Sequence, residues 1–235
     1  MYSNLKVIKL GNYVKLVSLN LKTSNRIIAE DIKSNVNNHK LENNLIRAKN
    51  HISSIVLAND FKYFFTLTFN PSYDRYELYS LLNKFRNMLK VMSRTAGDSI
   101  KYLIVPEKHK DGAWHFHGFF TEAIDKFVFY NEYGFLSIHG LKNLGFVNIS
   151  QIKDKLRCSS YVTKYVTKNL GDGIKMYRNS YFCSTGLSRG ELVYDKVYDN
   201  EFFNNTFFDY KNDYCRIKTV SLQEYYNLKI FIDKL

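Results

Sequence analysis

His115-Phe116-His117 lies in a short apolar and aromatic run, where strand alternation sends both imidazoles to one face and Phe116 to the other. Side chains two apart on a strand are about 6–7 Å from each other, close enough to share one divalent ion. Glu107 closes the preceding apolar run, and a tight turn at Asp111-Gly112 makes that run antiparallel to the histidine strand. Such a hairpin can bring the Glu107 carboxylate beside the two imidazoles. Two His and one carboxylate with open positions suit Mg²⁺ or Mn²⁺ bound to a phosphate oxygen better than a closed structural zinc. Same-face histidines are also common as ordinary hydrogen-bonded residues, and their spacing alone leaves that reading open.

A second constellation follows. Residues 161–168 read Tyr-Val-Thr-Lys twice over. On a helix this spacing puts Tyr161 and Tyr165 on one face, a turn apart, with Lys164 and Lys168 three residues after each. A phenol with a pKa near 10 becomes a nucleophile only with a base, a nearby cation or a metal-polarised target. Lys164 and Lys168 are spaced to stabilise phenolate character or charge developing on a phosphate. The same pattern also describes an amphipathic helix whose tyrosines pack and whose lysines face water. That alternative does not account for an identical repeat in the most basic stretch of the chain. Of the two phenols Tyr161, nearer the middle of its helix, is expected to act first. Cys158 reads as a packing residue.

These residues need elements to hold them. Alternation on both sides of Gly11-Asn12 predicts a hairpin over 5–23, and the apolar spacing over 25–58 predicts one or two helices. Phe61–Phe69 reads as a buried strand closed by Asn70-Pro71, and Arg75–Arg94 as a strongly amphipathic helix. Lys101–Pro106 and Ala113–Phe120 read as strands joined by the charged turn Glu107–Gly112, in which His109 and Lys110 are expected to be solvated. Further strands are expected at Phe135–His139 and Phe146–Ile149. Ser150 is expected to cap a basic helix that runs to Leu170 and stops at Gly171. Beyond 172 the pattern weakens, ending in a helix over Ser221–Lys234. The order implies an α+β fold, a central antiparallel sheet with helices packed on one face. The organisation expected is an N-terminal hairpin and helical extension over 1–58, a core over 59–190 and a C-terminal extension over 191–235.

Charge narrows the partner. The 235 residues carry a net +12, unevenly distributed. Residues 142–189 hold nine Lys/Arg against two Asp/Glu, whereas 191–213 hold two against six. Cations concentrated among Tyr and Phe could neutralise phosphates and stack bases, although a solvated basic face has the same composition. Arg157, Lys155 and Lys175 are the candidate DNA contacts within that stretch. Three cysteines at irregular spacing argue against a disulfide framework or a Cys-built zinc site and fit a reducing cytoplasm. No apolar run reaches the roughly 18 residues of a membrane span, and no signal peptide is read at the N-terminus.

Phe64-Phe65-Thr66-Leu67-Thr68-Phe69, then Glu107 with His115-Phe116-His117, then Tyr161-x-x-Lys164-Tyr165-x-x-Lys168 together resemble the three motifs of the HUH endonucleases, the rolling-circle replication initiator superfamily. They follow in the family's order over roughly residues 60–170. The doubled tyrosine motif is most similar to the A replication proteins of microviruses and to related filamentous-phage and plasmid initiators. Ser184–Arg189 resembles the small-residue segment after the catalytic helix of such proteins. The resemblance implies a central antiparallel sheet, dependence on a divalent metal, and cleavage of single-stranded or extruded origin DNA that leaves a 5′-phosphotyrosine and a free 3′-OH. Without a Walker A sequence, a host helicase would unwind the duplex and a host polymerase would extend the 3′-OH, in the cytoplasm of a bacterial cell. Transposases and relaxases of the same superfamily use the same chemistry. A repressor or packaging protein without catalysis would use the same basic, aromatic face with His115 and His117 structural.

Overall fold

The computed structural model describes residues 2–20, 36–168, 180–199, 208–211 and 215–232. Its strands are β1 (Tyr2–Leu10), β2 (Tyr13–Asn20), β3 (Phe61–Phe69), β4 (Tyr102–Lys108), β5 (Trp114–Thr121), β6 (Val128–Tyr130), β7 (Leu136–Ile138), β8 (Gly145–Gln151), β9 (Phe182–Cys183), β10 (Glu191–Asp199), β11 (Tyr210–Lys211) and β12 (Cys215–Ser221). The helices are α1 (Val36–Ala58), α2 (Leu78–Ala96), α3 (Lys155–Lys168) and α4 (Leu222–Ile232). The fold is α+β with antiparallel sheets, and it divides into two units.

The larger unit, residues 38–56 and 60–187, is built on a five-stranded sheet of order β8-β3-β5-β4-β9. Helices cover both faces of this sheet, not one. The reason lies in β3 and β5, whose apolar residues fall on both sides: Phe65, Leu67, Phe116 and Phe120 on one, Phe61, Phe64 and Phe119 on the other. A strand apolar on both faces needs a layer on each. On the first face α2 buries Leu78, Leu81, Leu82, Phe85, Leu89 and Met92, an i, i+3, i+4 stripe. Gly97 then ends α2 in the left-handed conformation (φ 70°), donating its N–H to the Arg94 carbonyl. On the second face α1 and α3 supply Ile52, Ile55, Val56, Val162, Tyr165 and Val166.

Two boundaries differ from expectation. Ser150 caps no helix; it pairs with Phe64 in the β3–β8 ladder. α3 starts five residues later, where the Asp154 carboxylate accepts the Arg157 N–H at 3.0 Å. Asp is as good an N-cap as Ser, and the alternation of Val147 and Ile149 keeps 150 in the strand. The strand expected near 135–139 is β7, and it pairs with β6 in a separate two-stranded sheet rather than joining the central one. The expected stop at Gly171 lies outside the described residues.

The smaller unit contains residues 1–37, 57–59 and 188–235. The two ends of the chain meet in its sheet, of order β10-β1-β2-β12-β11. Leu5, Val7, Val14, Leu16 and Val220 form its core with Leu222, Tyr225 and Leu228 of α4. A capping box opens that helix: Ser221 Oγ accepts the Glu224 N–H, and the Glu224 carboxylate accepts the Ser221 N–H. The three cysteines form no disulfide. Among the described residues no helix is long and apolar enough to cross a membrane.

Candidate active site

The site begins with register. In the β4–β5 ladder Glu107 is the direct partner of His115, and in the β3–β5 ladder His115 opposes Thr68 while His117 opposes Thr66. Directly paired residues share a face, so Thr66, Thr68, His115, His117 and Glu107 all lie on the side that carries α3. Phe116, between the histidines, is buried against α2.

Each imidazole is oriented from behind by a hydroxyl. His117 Nδ1 is 3.0 Å from Thr66 Oγ1, and His115 Nδ1 is 3.1 Å from Thr68 Oγ1. With Nδ1 engaged, Nε2 is the ring nitrogen each histidine offers to a ligand. For His117 that atom meets the Glu107 carboxylate at 2.6 Å. His115 instead stacks on His109, ring centroids 4.9 Å apart. Burial, then the charge of His109, lower its pKa from the ordinary 6.5, which favours the neutral, donor form. Among the described residues no three His, Cys, Asp or Glu side chains converge as a metal cluster. Glu107 and His117 satisfy each other, and His115 stands beside them on the sheet.

α3 completes the wall. Its Val162, Tyr165 and Val166 pack on Leu103, Val105 and Phe119, each burial contributing about 1.5–3 kcal/mol against about 1 kcal/mol for the Asp154 cap. Packing therefore decides the rotation of α3, and that rotation separates the two tyrosines. Tyr165 turns inward, 8% exposed, its ring flat on the His117 ring with centroids 3.7 Å apart and planes 3° apart. Tyr161 is 48% exposed and meets Phe64 edge-on. The Tyr165 hydroxyl donates to the Tyr161 oxygen across 2.6 Å. Burial first, then that hydrogen bond and the nearby charges of Tyr161 and Glu107, push the Tyr165 phenol above its ordinary value.

The basic residues are less convergent. Lys164 is exposed, its Nζ 5.8 Å from the centre of the Tyr161 ring. The backbone of Lys168 continues α3. Lys155 bonds Asp60 at 3.3 Å, and Arg157 is exposed. Lys175 lies outside the described residues. Sequence reading overlooked Thr66, Thr68 and His109. Thr-x-Thr inside an apolar strand was the available signal for the first two, since period 2 puts both hydroxyls on one face.

Residues 62–170 match a family model for replication-associated proteins of the ORF2 type. The match takes in a little under half of the chain, and within it lie Thr66, Thr68, Glu107, both histidines and both tyrosines. Over this stretch the chain is similar to replication-associated proteins. No curated protein and no solved structure matches it.

Proposed function

We propose that the protein is a replication initiator of the HUH type, which nicks single-stranded or extruded origin DNA by tyrosine transesterification. The observation that carries this reading is the stack of Tyr165 on His117, with its hydroxyl on Tyr161. It joins the paired-tyrosine helix to the histidine–carboxylate strand inside the stretch that resembles replication-associated proteins.

In the reaction the Tyr161 oxygen attacks the phosphorus of a phosphodiester, forming an aryl phosphate bond as the bond to the 3′-oxygen breaks. The proton lost by the phenol is balanced by the one gained at the 3′-oxygen, leaving a 5′-phosphotyrosine and a free 3′-OH. Tyr165 holds the nucleophile by donating to its oxygen. His117 in turn fixes the Tyr165 ring, and Thr66 fixes His117. Lys164 and Lys168 support negative charge at the helix. Tyr165 then takes the second attack, returning the first strand for closure.

Imidazole nitrogen and carboxylate oxygen, with Nδ1 atoms tied back to hydroxyls, are a donor set suited to Mg²⁺ or Mn²⁺. Held by Glu107, His115 and His117, such an ion would supply Lewis-acid charge at the scissile phosphate. A host helicase and polymerase would unwind the duplex and extend the 3′-OH. Arg157, Lys155 and Lys175 are proposed to meet DNA phosphates, Lys155 by exchanging Asp60 for a phosphate.

The test is incubation of the protein with circular single-stranded DNA, with Mg²⁺, Mn²⁺ or EDTA, followed by mass spectrometry of the tryptic peptides. Nicking that EDTA abolishes, with DNA attached through the peptide holding Tyr161 and Tyr165, supports the reading. Bound but intact DNA under all conditions would overturn it in favour of a non-catalytic binder.

A further inference from the structure

The sheet face that carries the histidines is covered only in part. α3 packs over Leu103, Val105 and Phe119, on the β4 and β5 side. On the other side, β8 is the outermost strand, and its residues on this face are Phe146, Asn148 and Ser150, all exposed. Their register is fixed by β3: Phe146 opposes Thr68, Asn148 opposes Thr66 and Ser150 opposes Phe64. Thr68 and Thr66 are in turn the partners of His115 and His117. Phe146, Thr68, His115 and Glu107 thus form one row across four strands, and Phe146 is 59% exposed at its end. Two strand spacings separate it from His115, about 10 Å.

An exposed Phe beside a reactive centre is unusual for a residue with no packing role. The opposite side chains of the same strand, Val147 and Ile149, are buried as β8 needs for its core contacts. The alternation of β8 therefore places an aromatic ring on the open face by register, in line with the site. The row forms a shelf with α3 and Tyr161 on one side and β8 on the other. Its floor is Phe64, Thr66 and Thr68, all half-buried. The surrounding stretch, residues 142–189, holds nine Lys/Arg against two Asp/Glu, so a polyanion is the complementary occupant.

We infer that this shelf is a nucleobase-binding subsite, where Phe146 stacks an unpaired base of the DNA strand whose phosphate faces Tyr161. Asn148 and Ser150 are the hydrogen-bonding groups along the edge of that base. The shelf takes a single strand, because a base paired in a duplex offers no free face for a side chain to stack on. It rests on the nicking reading only for the direction in which the strand runs.

The experiment uses the whole chain and oligo(dT) carrying 5-iododeoxyuridine, which cross-links to stacked aromatic rings in near-ultraviolet light. The cross-link should map to the peptide containing Phe146. Phe146→Ala should lose it and bind oligo(dT) roughly ten- to a hundred-fold more weakly, the scale of one lost base stack. Phe146→Trp should restore both, while affinity for a duplex of the same length moves by less than about twofold. Thermal melting checks that both variants fold, as an exposed ring permits. Unchanged oligo(dT) affinity in Phe146→Ala, an equal loss on single strand and duplex, or no recovery in Phe146→Trp would each overturn the subsite. The covalent-adduct assay on the wild-type protein is read separately. Adduct formation with an indifferent Phe146 sinks the subsite alone, and a stacking Phe146 without adduct sinks the nicking reading alone.

Discussion

The Tyr165 hydroxyl donates a hydrogen bond to the Tyr161 oxygen across 2.6 Å, although one phenol is buried and the other exposed. Two residues that the repeated tetrapeptide makes alike are thereby given different situations. Tyr161 accepts, at a surface a DNA strand can reach. Tyr165 donates, with its ring held on His117.

From this asymmetry Tyr161→Phe is expected to abolish first-strand adduct formation. Tyr165→Phe should still form an adduct on Tyr161, with a rate lowered about tenfold or less, as a single neutral hydrogen bond would give. It should fail to close circles. Quantitative mass spectrometry of the tyrosine peptides, with gel analysis of circular product, checks both. Equal loss of adduct in the two single variants would show the phenols to be interchangeable after all.

The histidines and the threonines behind them carry the second expectation. His115→Ala with His117→Ala should remove Mn²⁺ binding measured by calorimetry and abolish nicking, while DNA affinity stays within a few fold because phosphate contacts dominate it. Thr66→Val and Thr68→Val leave the ligands in place but free their rings. A loss of about 10–100-fold in metal affinity is expected for each. Wild-type Mn²⁺ affinity in the threonine variants would assign those hydroxyls to packing alone.

Alkaline stability tests the burial of Tyr165. Burial and the Tyr161 hydroxyl raise its pKa from the ordinary 10.0, so the folded state holds this proton more tightly than the unfolded chain. The associated stability is fully present below about pH 10 and is lost as pH rises above it. Urea unfolding at increasing pH should therefore show a shallower alkaline decline for Tyr165→Phe than for wild type. Tyr161→Phe should lower the Tyr165 pKa without returning it to the ordinary value, since burial is the larger cause; ¹³C NMR of labelled tyrosine reads this directly.

Gly118 sets how closely β4 approaches β5 beside the site. A Cβ there would sit 2.1 Å from the Leu103 carbonyl oxygen and 3.0 Å from Ile104 Cα, both backbone atoms that yield only if the strands part. Gly118→Ala should cost about 1–3 kcal/mol, or roughly 2–12 °C of melting temperature for a chain this size. Because Glu107 reaches His117 across the same pair of strands, nicking should fall together with stability. Calorimetric melting and the adduct assay test the two halves of that expectation.

Much of this was legible in the chain itself. Period 2 puts His115 and His117 on one face, the four-residue repeat puts Tyr161 and Tyr165 on one side of a helix, and the Asp111-Gly112 turn folds Glu107 back towards the histidines. These are consequences of backbone geometry within a few residues, so sequence alone determines them. What sequence left open depends on partners far along the chain. Thr66 and Thr68 meet the imidazoles only because β3 pairs with β5 in one register. Phe146 lies in line with His115 only because β8 pairs with the far side of β3. Which tyrosine is buried follows from how α3 rolls onto Leu103, Val105 and Phe119, a matter of packing area rather than of any local signal. The meeting of β1 and β2 with β10 and β12 is of the same kind: strands nearly two hundred residues apart carry no local mark of each other. The sequence by itself determined the reactive groups and their faces; the tertiary structure decided their neighbours, because register and helix rotation minimise the energy of the whole sheet and not of any one segment.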